Sequence, residues 1–480
     1  MKRILSILLV LCMALGLAAC GNAGGAAGGN GDQPAGQFKA GFGKVDITPK
    51  GTVALGSYGD LRFNDEGILS RLEARAVAVQ DANGGMLVFI VGDVSWCPEA
   101  LGSVIKPELA SELGIPEANI ILSGTHTHNS VETGKTEYPG VVDFNKKYIA
   151  GMKEAAHLAV EDLKPAELYA GSANAVGMNF VRRYIMDDGS LVGDNTYGTG
   201  TEIVDHESIA DSEVGLLRFV REGGKDILIS NFQAHPHLEG KGPYVSAQTV
   251  GAIRDAVEKQ LDAYSLHWNG AAGNLNTTSR ISSENKYTKS DRIKYGEDMV
   301  RNFIAPVYDS LTKVNGGNVQ VREYTYVGKV DKSMNDYVNE ADMVNKYFNN
   351  GLDHTAAEAA TYAHSLGVGI NSVYHARRIL GNLRLPDTQE LTMVAWSFGD
   401  VGGVVNAFEM FDTTGMYIKK NSPFARTFVV GYSYPGGGGY IPTKEGFANG
   451  GYESDNCMFV PGTAEEIADQ YLAMLRDMHG

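Results

Sequence analysis

The chain has 480 residues, 43% of them hydrophobic and 59 of them glycine, enough apolar surface to close a large core rather than stay disordered. Its formal charge of −16, from 57 acidic against 41 basic residues, excludes nucleic acid as a partner, because the phosphates would be repelled. Four cysteines without a CxxC pair exclude a thiolate metal knuckle, so any bound metal takes nitrogen and oxygen ligands.

In chain order, Met1-Lys2-Arg3 is a basic start and residues 4–16 an apolar stretch too short to span a membrane. Leu17-Ala18-Ala19-Cys20 then reads as a processing site, so the segment is an export signal. LAAC followed by glycine resembles the bacterial lipobox, which implies a lipidated Cys20 as the new N-terminus. The rival is an ordinary secretory signal with a chance cysteine. Residues 21–37, GNAGGAAGGNGDQPAGQ, are small and polar, as a flexible tether is. The expectation is an exported lipoprotein anchored in the membrane, at the cell surface or in the periplasm. Its working part is one catalytic domain over 38–480. Cys97 and Cys457 remain either for one disulfide or for two free buried thiols, and nothing in the sequence fixes an oligomeric state.

Apolar, β-branched runs at 76–79, 86–91, 120–122, 227–229, 319–327, 391–396 and 427–430 predict strands. Helical patterns lie between them at 144–163, 250–261, 290–311 and 355–380. Strands alternating with helices predict an α/β protein with mixed β-sheets flanked by helices. The acidic, helical stretch 331–387 reads as a subdomain or lid beside the sheets.

Polar residues gather just after several of these strands: THTH at 125–128, QAHPH at 233–237, GAAGNLNTT at 270–278, NAFE at 406–409 and GGGGY at 436–440. Ligands collect at such strand ends, where distant loops converge. In an extended segment residues i and i+2 face one way, so each HxH pair presents two imidazoles together. A single HxH is as readily a polar strand end bonded to nearby backbone. Two of them, His126/His128 and His235/His237, with a carboxylate would form a catalytic zinc site that leaves room for water. The pattern does not choose that carboxylate among the 57 acids.

Five ordered segments resemble the neutral/alkaline (non-lysosomal) ceramidases. These are GFGKVDITP (41–49), GILSRLEARA (67–76), SGTHTH (123–128), FEMFDTTGMYIKKNSPF (408–424) and GYIPTKEGFANGGYE (439–453). The resemblance implies a Zn2+ ion held by His126, His235, Glu409 and Tyr440, with His128 beside it to polarise the substrate. It implies Tyr452 as a second active-site tyrosine and Arg182 as the substrate-side arginine, with Arg183 its rival. His237 stands where relatives carry a hydroxyl. The family's G-D-V-S-P-N, with its essential serine, is here Gly273-Asn274-Leu275-Asn276-Thr277-Thr278, so Asn276 occupies the serine's place. The GDVS at 92–95 lies on another strand, which makes Ser95 a decoy. The family's C-terminal immunoglobulin-like domain has no counterpart before Gly480.

The implied activity is hydrolysis of a linear amide of the N-acyl, sphingolipid type by metal-activated water. Asn276 donates a hydrogen bond but neither shuttles a proton nor forms an acyl intermediate. Two rivals remain: a non-catalytic surface lipoprotein that binds a small molecule, and a metal-dependent esterase or amidase on glycan or peptidoglycan-derived substrates.

Overall fold

The computed structural model describes residues 38–58, 61–195, 197–436 and 439–480. The segments expected to be an export signal and a tether, with Cys20 between them, lie outside the described residues. Two sheets form the centre. The larger runs in the order Tyr264–Asn269, Ile227–Phe232, Glu213–Arg221, Lys164–Asn174, Phe38–Asp46, Glu73–Gln80, Met86–Gly92 and Ile120–Gly124, with Thr312–Val314 paired onto Lys164–Asn174. Its two end pairs are parallel and the rest antiparallel, so the sheet is mixed. The smaller sheet orders Gln320–Lys329, Thr388–Phe398, Val401–Val405 and Arg426–Val430.

The sheets face each other across one apolar layer. Val77, Val79, Leu87, Phe89, Val91 and Trp268 from the larger sheet pack with Trp396, Phe398, Phe428 and Val430 from the smaller. The alternate residues of the same strands, Ala74, Ala76, Ala78, Met86, Val88 and Ile90, turn to the opposite face. There they meet Ile105 and Leu109 of helix Glu99–Leu113 and Tyr148 and Met152 of helix Val141–Glu161. A strand buried on both faces is apolar at successive positions except where a charge is paired, as Arg75 is with Glu73 and Glu258, which is why the runs 76–79 and 86–91 are continuous in the sequence. Gly41 and Gly43 let helix Val141–Glu161 lie directly on the sheet: a Cβ on Gly41 would sit 1.9 Å from the Ala159 carbonyl oxygen. The outer face of the smaller sheet is covered by helix Thr463–His479. The expected α/β class with mixed sheets between helices is the one observed.

Two expected helices are broken, each for a local reason. The 290–311 stretch begins as an α-helix at Arg292–Met299, widens to a π-turn at Val300–Ile304 and tightens to a 3-10 turn at Ala305–Val307. Pro306 has no N–H to continue the ladder. The 355–380 stretch is two helices, Ala356–Ser365 and Val373–Asn382. Between them Gly367 and Gly369 adopt φ of +69° and +83°, and the Ser372 hydroxyl caps the second helix from the His375 N–H. Helix Glu99–Leu113, with Pro107 inside it, is not among the expected helices. The 331–387 region has its own small core, built on Ala341, Val344, Ala359, Ala376 and Ile379. Cys97 and Cys457 are both free and buried, which settles the alternative in favour of thiols.

Candidate metal centre

The site forms where strand ends from both sheets meet. After strand Ile120–Gly124, His126 takes a left-handed backbone, φ +63°, and its Nδ1 lies 2.9 Å from the Ser95 carbonyl. His235 follows strand Ile227–Phe232 and bridges to Asn276, with Nδ1 3.0 Å from the carbonyls of both Ala272 and Leu275. A carbonyl only accepts, so each Nδ1 carries the proton and each Nε2 presents a lone pair inward. Five of the eight non-glycine residues with positive φ among those described, Ser57, His126, Asn195, Gln248 and Tyr432, belong to this region. Backbone strain of that kind persists where the surroundings over-determine a functional geometry.

Glu409 and Tyr440 are opposite each other on two short parallel strands, Glu409–Met410 and Tyr440–Ile441, which puts their side chains on one face. Glu409 Oε2 stands 3.1 Å from His235 Nε2 and 3.6 Å from His126 Nε2. It has no hydrogen-bond donor and is 5% exposed. Three buried acceptors thus face one another, an arrangement that could hold a cation. Burial first, then the neighbouring His235, hold His126 down to about 3. Burial likewise keeps His128 and His235 well below the usual histidine range, so the rings are neutral, the form in which imidazole ligates a metal. A ring nitrogen of His128 joins those of His126 and His235 within 4.8 Å of one another.

Of the two rival arginines, Arg182 faces the cluster. It donates to the Tyr440 hydroxyl at 2.9 Å and to Glu453 at 2.8 Å, and its Nη1 lies 3.2 Å from His235 Nε2. Arg183 turns away to Glu207, Glu453 and the Gly446 carbonyl. Burial pushes the Tyr440 and Tyr452 hydroxyls above the ordinary tyrosine range, so both keep their protons at neutral pH. The Tyr452 ring lies 5.5 Å from that of Tyr440. Asn276, 8% exposed, donates to Asp194 at 3.3 Å and leaves its Oδ1 unbonded. His237 packs 5.0 Å from the His128 ring. A cavity of about 820 Å³ reaches His128, His235, Arg182, Asn276, Tyr440 and Tyr452.

Several contributors were not found in the sequence. Asp194 binds Arg182 from a turn outside every motif, and Glu453, the last residue of the 439–453 segment, does so from the short helix Tyr452–Asp455 without having been singled out. The GDVS segment, set aside as a decoy, does reach the site, but through the Ser95 carbonyl rather than its hydroxyl. Asp93 in that segment is a framework residue gripped in two-pronged fashion by Arg254, at 2.9 and 2.7 Å.

Residues 38–286, just over half of the chain, match the family described as neutral/alkaline non-lysosomal ceramidase, N-terminal. The chain belongs to this family. The neutral ceramidase of Drosophila melanogaster is 30% identical over 96 residues, 19% of this chain and 14% of that protein. That of Oryza sativa subsp. japonica is 25% identical over 189 residues, 38% of this chain and 24% of that protein. The matched stretches therefore span less than a quarter of these relatives. Two solved structures share the fold, each with a TM-score of 0.65 over 92% of this chain. One is a ceramidase complexed with C2, 15% identical and covered to 75%. The other is the neutral ceramidase from Pseudomonas aeruginosa, 17% identical and covered to 74%.

This ceramidase-family chain departs from the G-D-V-S-P-N pattern at Asn274, and the structure gives a reason. Asn274 Nδ2 donates to Asp412 at 2.8 Å while its Oδ1 accepts the Asp412 N–H at 2.9 Å, a reciprocal clamp an aspartate could not make without a proton. The clamp fixes the loop whose Gly273 passes under Glu409; a Cβ there would lie 2.4 Å from the Glu409 carbonyl. Burial raises Asp412 to about 6, with Asn274 opposing. A carboxyl raised in the folded state favours folding while protonated, and that contribution is lost as pH climbs from its unfolded value near 4 through about 6. Asp412→Asn, which cannot ionise, is therefore expected to gain stability relative to wild type by roughly 2 kcal/mol between pH 4 and pH 7. Urea unfolding at both pH values measures this, and a pH-independent difference would contradict it.

Proposed function

We propose that the chain is a zinc-dependent hydrolase of linear amides, acting on an N-acyl substrate such as a lipid amide. The observation that carries this reading is the convergence of His126 Nε2, His235 Nε2 and the donor-less Glu409 oxygen at 3.1–3.6 Å, beside a cavity furnished with hydrogen-bond donors. The names of the matched relatives, all neutral ceramidases, support an amide of that kind. His126, His235 and Glu409 would hold the ion, with Tyr440 beside them, and a nitrogen–oxygen set of this type suits zinc. The chemistry an ion held there would supply is Lewis acidity toward a water and toward an amide carbonyl.

The chain's own groups do the rest. Tyr452, neutral at pH 7, and the Asn276 amide are donors for the oxygen that gains charge when the carbonyl becomes tetrahedral. Arg182 fixes the Tyr440 hydroxyl and adds positive charge to the same wall. His128 lines the same cavity with its Nε2 3.1 Å from His126 Nε2, which puts its ring beside the ligand set where it can polarise a bound substrate.

Turnover of a panel of N-acyl amides by wild type is the test. If Asn276 only stabilises, Asn276→Ala is about a hundred- to a thousandfold slower, yet still active. The competing reading, a metal-containing binding lipoprotein, expects wild type to bind zinc and hydrolyse nothing, and Asn276→Ser to gain amidase activity. That second pattern would overturn the proposal.

A further inference from the structure

The cavity wall farther out carries a charge the rest of the chain does not lead one to expect. The protein has 57 acidic and 41 basic residues, yet Asp194 is the cavity's sole acidic lining residue among those described. Asp194 is already occupied by Arg182 at 3.4 Å and by Asn276 at 3.3 Å. Arg280, Lys289 and Lys241 stand on the same rim. Arg280 spends one nitrogen on the Gly193 carbonyl, at 2.7 Å, and Lys289 lies over Gly240. Among the described residues neither Arg280 nor Lys289 has a carboxylate partner.

These cations are held close to the chemistry by the chain itself. Arg280 follows Asn276 by four residues, and its backbone N–H is pinned by the Tyr184 hydroxyl at 2.8 Å. Lys289 lies against the turn that follows His237. The same cavity also has an aromatic run, Tyr440, Tyr452 and Tyr374, with successive ring centroids 5.5 and 5.0 Å apart. An amphipathic ligand fits such a lining: an acyl chain on the tyrosines, and an anion within reach of a guanidinium fork and an ammonium.

We propose that the preferred substrate is an anionic N-acyl amine, one bearing a carboxylate or a phosphate on the amine side of the scissile bond, selected by Arg280 and Lys289. This rests on the amide-hydrolase reading above and narrows its substrate class. Because both cations are exposed, salt screens them, and their joint effect is a modest preference rather than an absolute one.

The experiment compares N-dodecanoylglycine and N-dodecanoylphosphoethanolamine with the uncharged N-dodecanoylethanolamine, on wild type and on the double variant Arg280→Glu, Lys289→Glu. Calorimetric binding of the same compounds is measured in parallel. Wild type should favour the anions by about three- to tenfold in kcat/KM and in affinity at low salt, the preference shrinking at high salt. The larger of the two anionic preferences tells carboxylate from phosphate. The double variant should invert the ratio, with its melting temperature reporting that the fold is kept. If it does not fold, Arg280→Gln and Lys289→Gln singly should each lower the ratio. Equal turnover of charged and neutral amides, unchanged by the variants, overturns the inference and leaves the amidase reading intact. Anion-selective binding reversed by the variants, with no hydrolysis of any compound, sinks the amidase reading and leaves the anion site.

Discussion

His126→Ala is expected to bring amide turnover down to background and to leave the protein unable to retain a stoichiometric metal through dialysis. The residue contributes one of three convergent acceptors, and its ring is fixed from behind by the Ser95 carbonyl and along its face by Tyr432, with ring centroids 3.8 Å apart. His128, with its Nε2 3.1 Å from His126 Nε2, stays in place in the variant but leaves the set one ligand short. The substitution also carries a stability signature. At φ +63° an alanine keeps the left-handed strain, whereas a glycine relieves it. His126→Gly should therefore unfold at a higher urea concentration than His126→Ala, by about 1 kcal/mol, although both are inactive. Elemental analysis, turnover and urea titration of the two variants check this. Full metal retention by either one would remove His126 from the ligand set.

Glu453→Ala is the second large effect, and it falls first on stability. Glu453 is 1% exposed and divides its carboxylate between two buried arginines, Arg182 Nε and Arg183 Nη1, each at 2.8 Å. Removing one member of a buried ion network leaves uncompensated charge in a medium that solvates it poorly, at a cost of about 3–5 kcal/mol. Arg183 keeps Glu207 and the Gly446 carbonyl, so the loss is concentrated on Arg182, which then rests on Asp194 and the Tyr440 hydroxyl. The variant should unfold at a clearly lower urea concentration. Whatever folds should have lost turnover through a misplaced Tyr440, with kcat falling more than KM rises. Glu453→Gln retains the shape and one acceptor and should recover part of the stability. A Glu453→Ala protein as stable as wild type would mean that water, rather than Glu453, satisfies these arginines.

Much of this was open to reading in the chain itself, and for a definite reason. The strand stretches 76–79, 86–91, 120–122 and 227–229 are buried on both faces, so each is a continuous apolar run wherever the rest of the fold lies. The two HxH pairs stand out because the two-residue period of an extended segment is a local property. Family resemblance singled out Glu409, Tyr440 and Arg182, which the residue pattern alone could not separate from other acids, tyrosines and arginines. The helix breaks at Pro306 and at Gly367 and Gly369 also have local causes that a stricter reading of the 290–311 and 355–380 patterns would have respected. What no local pattern carries is partnership. Glu453 meets Arg182 across 271 residues and Asn274 meets Asp412 across 138. Ser95 serves through a carbonyl that every residue possesses. Apolar burial is decided residue by residue against water, so the sequence displays it. Hydrogen bonds and ion pairs are decided by which loops the two packed sheets bring to one end, and only the tertiary structure does that.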